Sequence, residues 1–491
     1  MSTESDAHPV PAAGAPDGPG RPGGSGGQGA PGEVETPGPP GAPGAWDAAA
    51  LAARIGEPTA RGIAASLTDL VREGSLPAGT RLPTVRALAA ELGVSPATVA
   101  EAWSTMRRHR VIATGRRRGT VVIGPPNVPH PVRYERIGNF GDRPALDLVL
   151  AAPDPALLPP LEDALAAGAR ADGLNDYTRA TITPALRRAV EPDWPFPAQA
   201  FLAVGGGYEG VQLACTTVAL PGDRVAVENP TAARLLDILE NLGVRIVPVG
   251  CDGEGPVPAE LERALAAKPV AFVYQPRAHS PCGHSVTPGR AAALADLLEP
   301  TATLVVEDDG LGDAAVSPAV TVGDRLPDRT VLVRSYSKSH GPDLRIAVLG
   351  GAAETVERVR VLRSFGTGWT SRILQDALAH LLTDPAARAA VDRARHVYAR
   401  RRTALARALD DRGVPTPNRD GLVLWVPVHD ESAALVTLAA HGVAAAPGSR
   451  YHAGTGEPRL RVATSRLDED PAAVEEIAGI LAMAAARDRD H

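Results

Sequence analysis

From about residue 146 onward, short apolar runs alternate with Ala- and Leu-rich stretches of helical periodicity, and this alternation constrains the fold more than any other feature. Strands that alternate with helices pack as a mainly parallel sheet with helices on its faces. We therefore predict an α/β domain over residues 146–487, with a large part over about 175–375 and a smaller α+β part over about 376–487. The clearest strand patterns are Arg224–Val227, Val270–Tyr274, Thr303–Val306 and Thr330–Val333.

The residues before this domain divide by composition into three segments. Residues 1–50 are dominated by Gly, Pro and Ala and carry too little apolar surface to offset the entropy cost of ordering, so we predict a disordered leader. Residues 51–124 have the apolar spacing of a folded domain. Residues 125–145 are rich in Pro, Gly and charged residues, a composition typical of a linker.

Charge is unevenly distributed along the chain. The net charge is -7, yet residues 51–124 contain eleven arginines against five acidic residues. A basic block on an acidic body indicates that this block meets phosphate and that the remainder does not.

Neither a membrane nor an oxidising compartment is indicated. Cys215, Cys251 and Cys282 are far apart in the sequence, with neither metal-ligand spacing nor a disulfide framework, so we expect no metal site and a reduced, cytoplasmic location. No apolar run is long enough to span a membrane, and the N-terminus lacks the basic start and apolar core of a signal peptide.

Residues 51–124 show the pattern of a winged helix-turn-helix. An amphipathic helix precedes a short helix over residues 84–92, Gly93 makes a turn, and Ser95 is placed to cap a helix over residues 96–108. Two strands that flank an Arg-Gly turn follow within residues 111–123. In such proteins the second helix enters the major groove and a basic wing contacts the DNA backbone. The candidate wing contacts are Arg116, Arg117 and Arg118.

The stretch from Gly79 to Val99 closely resembles the GntR family of bacterial regulators, and the likeness extends over most of residues 55–122. The resemblance implies operator DNA as a partner. The family often has Arg or Thr where this chain has Pro96 and Ala97, so phosphate binding would depend more on Arg86 and the wing. The DNA-contacting positions that the resemblance implies are Arg86, Ser95, Thr98 and Gly119.

The chain contains two lysines, Lys268 and Lys338, against 48 arginines. Arginine cannot lose its proton in a protein or form a Schiff base, whereas lysine can do both. A retained lysine therefore indicates a role that arginine cannot fill. Lys268 stands before Pro269 and fits an ordinary surface residue, whereas Lys338 directly follows a predicted buried strand.

Candidate anion-binding groups accompany Lys338. Hydroxyl, guanidinium and backbone N–H groups at a strand end or helix N-terminus can hold a phosphate while an amine attacks an aldehyde. Asp308, which follows the strand pattern Thr303–Val306, is the candidate partner for a cofactor ring nitrogen. The candidate phosphate-binding residues are Ser335, Ser337, Arg345, Gly206, Gly207 and Tyr208.

The segments Ser335–Arg345, Glu307–Asp309, Gly366–Arg372 and Gly421–Pro427 resemble fold-type I enzymes that use pyridoxal 5'-phosphate (PLP). The winged helix-turn-helix of residues 51–124 is called the head below. With the head and these segments together, the chain is similar to the MocR subfamily of GntR regulators, which joins a winged helix to an aminotransferase-like domain. This resemblance implies PLP as cofactor and a homodimer. It further implies a Schiff base at Lys338, Asp308 at the pyridine nitrogen, Ser335 and Arg345 at the phosphate, Tyr177 at the partner subunit's cofactor, and Arg461 at a substrate carboxylate.

Three positions depart from the family pattern. Ala232 stands where relatives carry an aromatic residue that stacks on the pyridine ring, and Gly310 stands where they often carry Tyr or His. Ser280, within His279–Gly283, replaces a group that bonds the cofactor's phenolic oxygen. Loss of the stacking contact and of the hydrogen bond each costs roughly 0.5–1.5 kcal/mol. The departures weaken the hold on PLP and leave the lysine chemistry in place.

Three functions remain open from the sequence. The favoured one is a transcription regulator that binds DNA through the winged helix and senses PLP or a small amino compound in the aminotransferase-like domain. The alternative is an active aminotransferase, converting an amino acid to a 2-oxo acid, with a retained DNA-binding head. The third is a protein-interaction or DNA-architecture protein whose pocket stays empty.

Overall fold

The computed structural model describes residues 46–108, 111–115, 119–124, 133, 146–178, 180–417 and 419–486. The chain divides into two units, with the boundary between residues 128 and 129. Each unit has its own hydrophobic core and is described by itself.

The first unit combines helices with a three-stranded sheet, as the winged-helix pattern predicts. Its antiparallel sheet has the order β1-β3-β2. Asp47 caps α1, so helix begins within the segment that composition assigned to the leader. The helices are α1 Ala48–Ala52, α2 Ala60–Arg72, α3 Val85–Leu92 and α4 Pro96–Arg108, and the strands are β1 Arg81–Leu82, β2 Ile112–Gly115 and β3 Gly119–Val122.

Local capping explains the turn between the two helices that define this motif. The Thr84 hydroxyl accepts from the backbone N–H of Ala87 at 3.2 Å and starts α3. Gly93 ends α3 in the left-handed conformation, with φ at 67°. Ser95 then accepts from the N–H of Thr98 at 3.2 Å, which confirms the predicted N-cap of α4.

The large part of the second unit is built on an eight-stranded sheet of order β5-β12-β11-β10-β9-β6-β7-β8. Strands β11, β10, β9, β6 and β7 are parallel, whereas β12 runs antiparallel to both of its neighbours and β8 antiparallel to β7. The strands are β5 Ala200–Val204, β6 Arg224–Asn229, β7 Arg245–Asp252, β8 Gly255–Pro256, β9 Ala271–Tyr274, β10 Leu304–Asp309, β11 Thr330–Ser335 and β12 Ala347–Gly351.

Helices cover this sheet, and its strands are buried in apolar clusters. Helix α12 crosses residue 375 and packs against α5 and α6, so the structure places it with the large part. The helices are α5 Glu162–Gly168, α6 Pro184–Val190, α7 Gly207–Val218, α8 Ala233–Leu242, α9 Pro258–Leu265, α10 Pro288–Leu298, α11 Ala353–Arg363 and α12 Arg372–Thr383.

The smaller α+β part has an antiparallel sheet of order β13-β16-β15 and a core of its own. Strand β4, Leu146–Asp147, pairs in parallel with β14 of this part. Its other elements are α13 Pro385–Asp410, β13 Val423–Pro427, α14 Glu431–Ala440, β14 Val443–Ala444, β15 Ala446–Pro447, β16 Arg459–Ala463 and α15 Pro471–Ala485.

The carboxyl edge of the large sheet gathers the residues that the sequence singled out. Gly206 follows β5, Asp308 lies near the end of β10, and Ser335 ends β11. Asp308 is in register with Val333 of the parallel neighbour β11. Since ligands of open α/β sheets bind outside this edge, the topology predicts a site there.

Candidate functional site

A cavity of about 500 Å³ opens at the carboxyl edge of the large sheet. Residues 149–153, which lead out of β4, and residues 422–423 of the small part complete its wall. Gly206 lies directly behind the wall, against Arg345. Among the sequence-predicted site residues, the cavity is lined by Lys338, Asp308, Ser335, Ser337, Arg345, Gly207, Tyr208, Ser280 and Arg461.

Lys338 presents its amine to this cavity. It follows β11, and its Nζ donates a hydrogen bond to the backbone oxygen of Ala151 at 2.7 Å. Burial lowers the pKa of Lys338 to about 8, and the positive charges of Arg461 and Arg466 act in the same direction. A larger share of this amine is therefore neutral at pH 7 than in an ordinary lysine.

Successive side chains of β10 point to opposite faces of the sheet, so the three acidic residues at its end do not share one environment. Asp309 is buried between two arginines, with both oxygens accepting from Arg277 at 2.8 Å and one from Arg334 at 2.9 Å. Glu307, on the same face, accepts from buried partners around Thr321. Asp308 points to the other face and lines the cavity, as period-two geometry requires.

The Asp308 carboxyl has no hydrogen-bond donor among the described residues. Burial raises its pKa to about 7, and the neighbouring carboxylates of Asp309 and Glu228 add to that effect. A cation placed against Asp308 would reverse this shift, because an opposite charge favours the ionised form. The carboxyl is therefore available to a positively charged group in the cavity.

Two glycines, a serine and an arginine form a close-fitting cradle. A Cβ added to Gly206, whose φ is +121°, would lie 3.0 Å from Arg345 Nη2. A Cβ added to Gly207 would lie 3.0 Å from the Cβ of Ser335. The hydroxyls of Ser335 and Ser337 are 3.0 Å apart. Guanidinium, hydroxyls and the N-terminus of α7 thus converge where a phosphate can be bound.

Arg461 and Ser280, which both line the cavity, contact each other. Arg461 Nε donates to Ser280 Oγ at 3.2 Å, and its Nη1 donates to the backbone oxygen of Val149 at 2.9 Å. The guanidinium also lies over the Tyr451 ring, 5.5 Å from its centroid. These contacts fix the direction of the positive charge that faces the cavity.

The positions that depart from the family pattern lie on the cavity wall itself. Ala232, Ser280 and Gly310 all line it. A side chain at Gly310 would begin 3.4 Å from Asp308 Oδ1, so the glycine leaves that carboxyl uncovered. The wall also contains Tyr208, whose ring is contacted by the guanidinium of Arg234 at 4.8 Å.

Tyr177 lies apart from the cavity of its own chain. Its side chain is 84% exposed, and its ring meets that of Trp369 edge-on at 5.9 Å. The role that the family resemblance gives it, in the site of a partner subunit, stays a prediction.

Four arginines are among the cavity residues that were not found from the sequence. Arg133, Arg234, Arg450 and Arg466 line the cavity together with Arg345 and Arg461, against the single carboxylate Asp308. No local signal distinguishes them, because 48 arginines are spread over the chain. The excess of positive charge favours an anionic ligand.

The DNA-binding candidates lie at the start of α3, at the start of α4 and in the wing. Arg86 and Ser95 are exposed, and the Ser95 and Thr98 hydroxyls are 2.9 Å apart. Gly119 starts β3 with φ at +70°. Arg116, Arg117 and Arg118 lie outside the described residues, so their predicted role stays a prediction.

Two cysteines that are distant in sequence are brought near one histidine. Cys282 and His284 have ligating atoms within 4.8 Å of each other, and so do Cys251 and His284. The fold thus brings together residues that are far apart in the sequence, and the expectation of no metal site stays a prediction. Among the described residues, no helix is both long and apolar enough to cross a bilayer.

The fold and cavity define the class of protein: a fold-type I aminotransferase-like domain that follows a winged-helix DNA-binding unit. Residues 149–477 match the family of aminotransferases of class I and II, and residues 59–122 match the gntR family of bacterial regulatory proteins. The chain belongs to the MocR-like transcriptional regulators, which combine these two domains.

Two curated relatives are similar over most of their length. The vitamin B6 salvage pathway transcriptional repressor PtsJ of Salmonella typhimurium is 33% identical over 417 residues, which cover 84% of this chain and 95% of that protein. The HTH-type pyridoxine biosynthesis transcriptional regulator PdxR of Corynebacterium glutamicum is 28% identical, over 82% of this chain and 90% of its own.

Solved structures support the fold of the second unit. Kynurenine aminotransferase of Pyrococcus horikoshii has a TM-score of 0.65 at 20% identity and covers 72% of this chain and 93% of its own. The α-aminoadipate aminotransferase LysN of Thermus thermophilus has a TM-score of 0.63 at 21% identity, over 72% and 94%. This likeness is one of fold, and that fold family is PLP-dependent.

Proposed function

We propose that the protein is a cytoplasmic, PLP-responsive transcription regulator. Its head binds operator DNA, its cavity binds PLP, and ligand binding changes the affinity of the head for DNA. The observation that carries the proposal is the convergence of a buried amine, a buried carboxyl and an anion cradle in one cavity. That cavity belongs to a chain whose first unit is a winged helix.

The residues present fit PLP. Gly206 and Gly207 allow Arg345 and Ser335 to approach the start of α7 more closely than larger residues would. This cradle, with the Ser337 hydroxyl, suits the phosphate ester. Asp308 suits a protonated ring nitrogen, since its carboxyl lacks any other described donor.

The chemistry of the bound group is that of an aldehyde conjugated to an electron-withdrawing pyridine ring. The role of Lys338 is to supply an amine that is already partly neutral. With a pKa of about 8, about a tenth of it is neutral at pH 7. Asp308 would hold a negative charge near the ring nitrogen when PLP is bound, and Arg461 would present a positive charge to the carboxylate of any amino compound that enters.

PLP itself is the preferred effector in this proposal, and an amino acid is the second. The cavity carries six arginines against one carboxylate, which favours a doubly charged phosphate ester. The printed names of the two relatives refer to vitamin B6 salvage and to pyridoxine biosynthesis. By that analogy, we propose that this chain regulates genes of vitamin B6 metabolism.

Arg133 provides a route by which the cavity can influence the segment that leads to the head. It falls within the predicted linker, and it lines the cavity. Its Nη1 donates to the backbone oxygens of Arg450 at 3.2 Å and His452 at 3.0 Å, and its Nη2 pairs with Glu240 at 2.5 Å. A ligand that shifts Arg450 or competes for Arg133 would alter these contacts and so change the anchoring of the chain between the units.

We further propose a homodimer in which Tyr177 approaches the partner's cavity and two heads bind paired half-sites. DNA contacts come from Arg86, Ser95 and Thr98 near the two helix N-termini, and from the wing at Gly119 with Arg116, Arg117 and Arg118. The wing arginines would supply sequence-independent phosphate binding.

Absorbance spectra test the cavity. Addition of PLP to the purified full chain should produce a shifted cofactor band, and borohydride should then attach the cofactor covalently to the Lys338 peptide. Lys338→Ala should give neither, and Lys268→Ala should behave as wild type. Covalent attachment at Lys268 instead, or none at all, would contradict the proposal.

Mobility shift on the gene's own upstream region tests the regulator. Binding should be sequence-selective, should weaken as salt rises, and should change when PLP is added. Incubation with PLP and a panel of amino acids separates the enzyme alternative: sustained formation of 2-oxo acids over many turnovers would favour the aminotransferase. Absence of selective DNA binding would refute the regulator.

A further inference from the structure

We propose that the chain contains a second ligand site, which binds one Zn²⁺ ion through Cys251, Cys282, His284 and Glu228. These four residues, with the adjoining His279, are called the Cys–His cluster below. It lies outside the cavity, on the far side of the loop that carries Ser280. Its metal content can be measured without reference to the proposed response to PLP.

Three separate elements bring the cluster together. Glu228 lies near the end of β6, Cys251 lies near the end of β7, and Cys282 and His284 lie on the loop between β9 and α10. Ligating atoms of Glu228, Cys251 and His284 are all within 4.8 Å of one another, and those of Cys282 and His284 are equally close. His284 therefore stands at the centre of the set.

Unpartnered polar atoms concentrate at this point. His284 is fully buried, and neither of its ring nitrogens has a hydrogen-bond partner among the described residues. Glu228 is also fully buried, and its Oε2 has no hydrogen-bond partner there and lies 3.8 Å from His284 Nε2. Buried polar atoms are normally paired, so a group of orphans that face one another indicates an absent partner.

His279 positions the loop and does not serve as a ligand. Its Nδ1 accepts from the backbone N–H of Cys282 at 3.2 Å, which places the ring proton on Nε2, 3.3 Å from Glu228 Oε1. Its ring also stacks on that of His284, with centroids 4.0 Å apart. The backbone N–H of His279 donates to the carbonyl of His284 at 2.9 Å. These contacts hold Cys282 and His284 together before any ion binds.

The donor set matches zinc in type, number and charge. Thiolate and imidazole ligands select zinc over the hard cations, and structural zinc sites are four-coordinate. Two thiolates and one carboxylate carry three negative charges. A divalent ion and the guanidinium of Arg419, which donates to the Cys282 carbonyl at 3.5 Å, would balance them. Coordination would draw the ligating atoms of each group closer than the 4.8 Å within which they lie.

The site would stiffen one wall of the cavity. Gln275 Nε2 donates both to Glu228 Oε1 at 3.1 Å and to the Ser280 carbonyl at 3.2 Å, and Gln275 Oε1 accepts from the Ser280 N–H at 3.0 Å. Ser280 lies between His279 and Cys282 and lines the cavity. An ion held by the cluster therefore fixes both ends of the loop that carries Ser280.

Metal content of the purified full chain tests the site. Protein produced in zinc-supplemented medium, with any affinity tag removed, should retain about one zinc per chain after passage over a weak chelator. Cys282→Ser and His284→Ala should retain less than a tenth of that amount. Cys215→Ala, a cysteine of α7 outside the cluster, and His441→Ala, an exposed histidine, should retain it fully. Equal zinc in all variants, or none in the wild type, overturns the proposal.

Measurements on the wild type cover the case in which the variants fail to fold. Replacement of zinc by Co²⁺ should give a near-ultraviolet thiolate-to-cobalt band in the difference spectrum against the zinc form. Cys251 and Cys282 should resist a thiol reagent with zinc bound and should react after a strong chelator is added. No cobalt–thiolate band, the same thiol reactivity in both states, or a disulfide between the two cysteines would each overturn the site.

Discussion

Lys338 should become nucleophilic at a lower pH than an ordinary lysine, because burial and two arginines oppose its positive charge. A pKa of about 8 instead of 10.5 corresponds to about 3 kcal/mol of differential interaction between its two protonation states. At pH 7 the neutral fraction is then about a tenth, against about one in 3,000 for an ordinary lysine. The expected gain in neutral amine is about 300-fold.

The pH dependence of Lys338 reactivity can be measured against an internal reference, because the chain contains one other lysine, Lys268. Brief acetylation of the PLP-free full chain at a series of pH values, followed by peptide mass spectrometry, reports both lysines in each sample. Lys268 is exposed and reports the reactivity of an amine in solvent. The ratio of Lys338 to Lys268 labelling cancels changes in the reagent. It should be largest near neutral pH and should fall as pH rises.

Removing the neighbouring charges should move the Lys338 midpoint upward. Arg461→Leu and Arg466→Leu each delete a positive charge that lowers the pKa of Lys338, so half-maximal labelling should occur at higher pH in both. Arg358→Leu, at an exposed position in α11, is the matched control and should leave the midpoint in place. Each arginine variant should reverse only part of the lowering of the Lys338 pKa, because burial is the largest cause of that lowering.

A Lys338 midpoint at 10.5 or above, in wild-type protein that is folded, would refute the reasoning. It would mean that the amine is hydrated or ion-paired in solution, and the buried position of Nζ would then be wrong. An unchanged midpoint in both arginine variants, with the wild type near 8, would leave burial as the whole cause and refute only the contribution of the two charges.

Four other outcomes follow from the same cavity. Ala232→Tyr should restore a stacking contact worth roughly 0.5–1.5 kcal/mol and lower the Kd for PLP about 2- to 12-fold in a spectroscopic titration; no gain would show that position 232 does not face the ring. Gly206→Ala should displace a guanidinium and weaken PLP binding about 10- to 150-fold, the equivalent of one charge-assisted hydrogen bond, whereas Gly289→Ala, in open space, should not. Arg133→Ala should reduce the PLP-dependent change in operator affinity, in mobility shifts, more than it reduces binding without PLP. Asp308→Asn should remove a pH dependence of the free energy of unfolding. The pKa of Asp308 is about 7 in the folded state against 3.8 when unfolded, so the PLP-free wild type should lose up to about 4 kcal/mol of stability as pH rises from 4 to 8. Chemical unfolding should therefore show the stability of the variant rising relative to that of the wild type over this range.

The parts of the structure that the sequence predicted are those set by local rules. The two helices of the head were predictable because Thr84, Gly93 and Ser95 are each the residue type that starts or ends a helix at that place. The parallel sheet was predictable because its strands are apolar on both faces. Asp308 was chosen as the candidate from its place after the strand pattern, and the alternation of β10 now supplies the physical reason that Asp308, and not Asp309, lines the cavity.

The parts that the sequence did not predict depend on contacts between distant segments. Arg133 reaches the cavity from a stretch whose composition indicates only a linker, and its partners lie more than a hundred residues away. Cys251 near the end of β7 and Glu228 near the end of β6 come close to His284, which lies two residues after Cys282 on the loop that follows β9, because β6 is the neighbour of both β7 and β9 in the sheet. Spacing rules for metal ligands assume that ligands lie in one or two short segments, and here they come from three.

The three departures from the family pattern are consistent with a sensor. A catalytic cofactor must stay bound through every cycle, whereas a sensed ligand must dissociate when its concentration falls. Ala232, Ser280 and Gly310 weaken contacts to the ring and its substituents, while the cradle of Gly206, Gly207, Ser335 and Arg345 is kept. Losing the stacking contact and one hydrogen bond together costs roughly 1–3 kcal/mol, which raises the Kd by about 5- to 150-fold. In the proposed regulator, the cradle would retain selectivity for the phosphate ester, while the fraction of chains with PLP bound would follow the PLP concentration. We infer that this combination would separate the chain from a working aminotransferase.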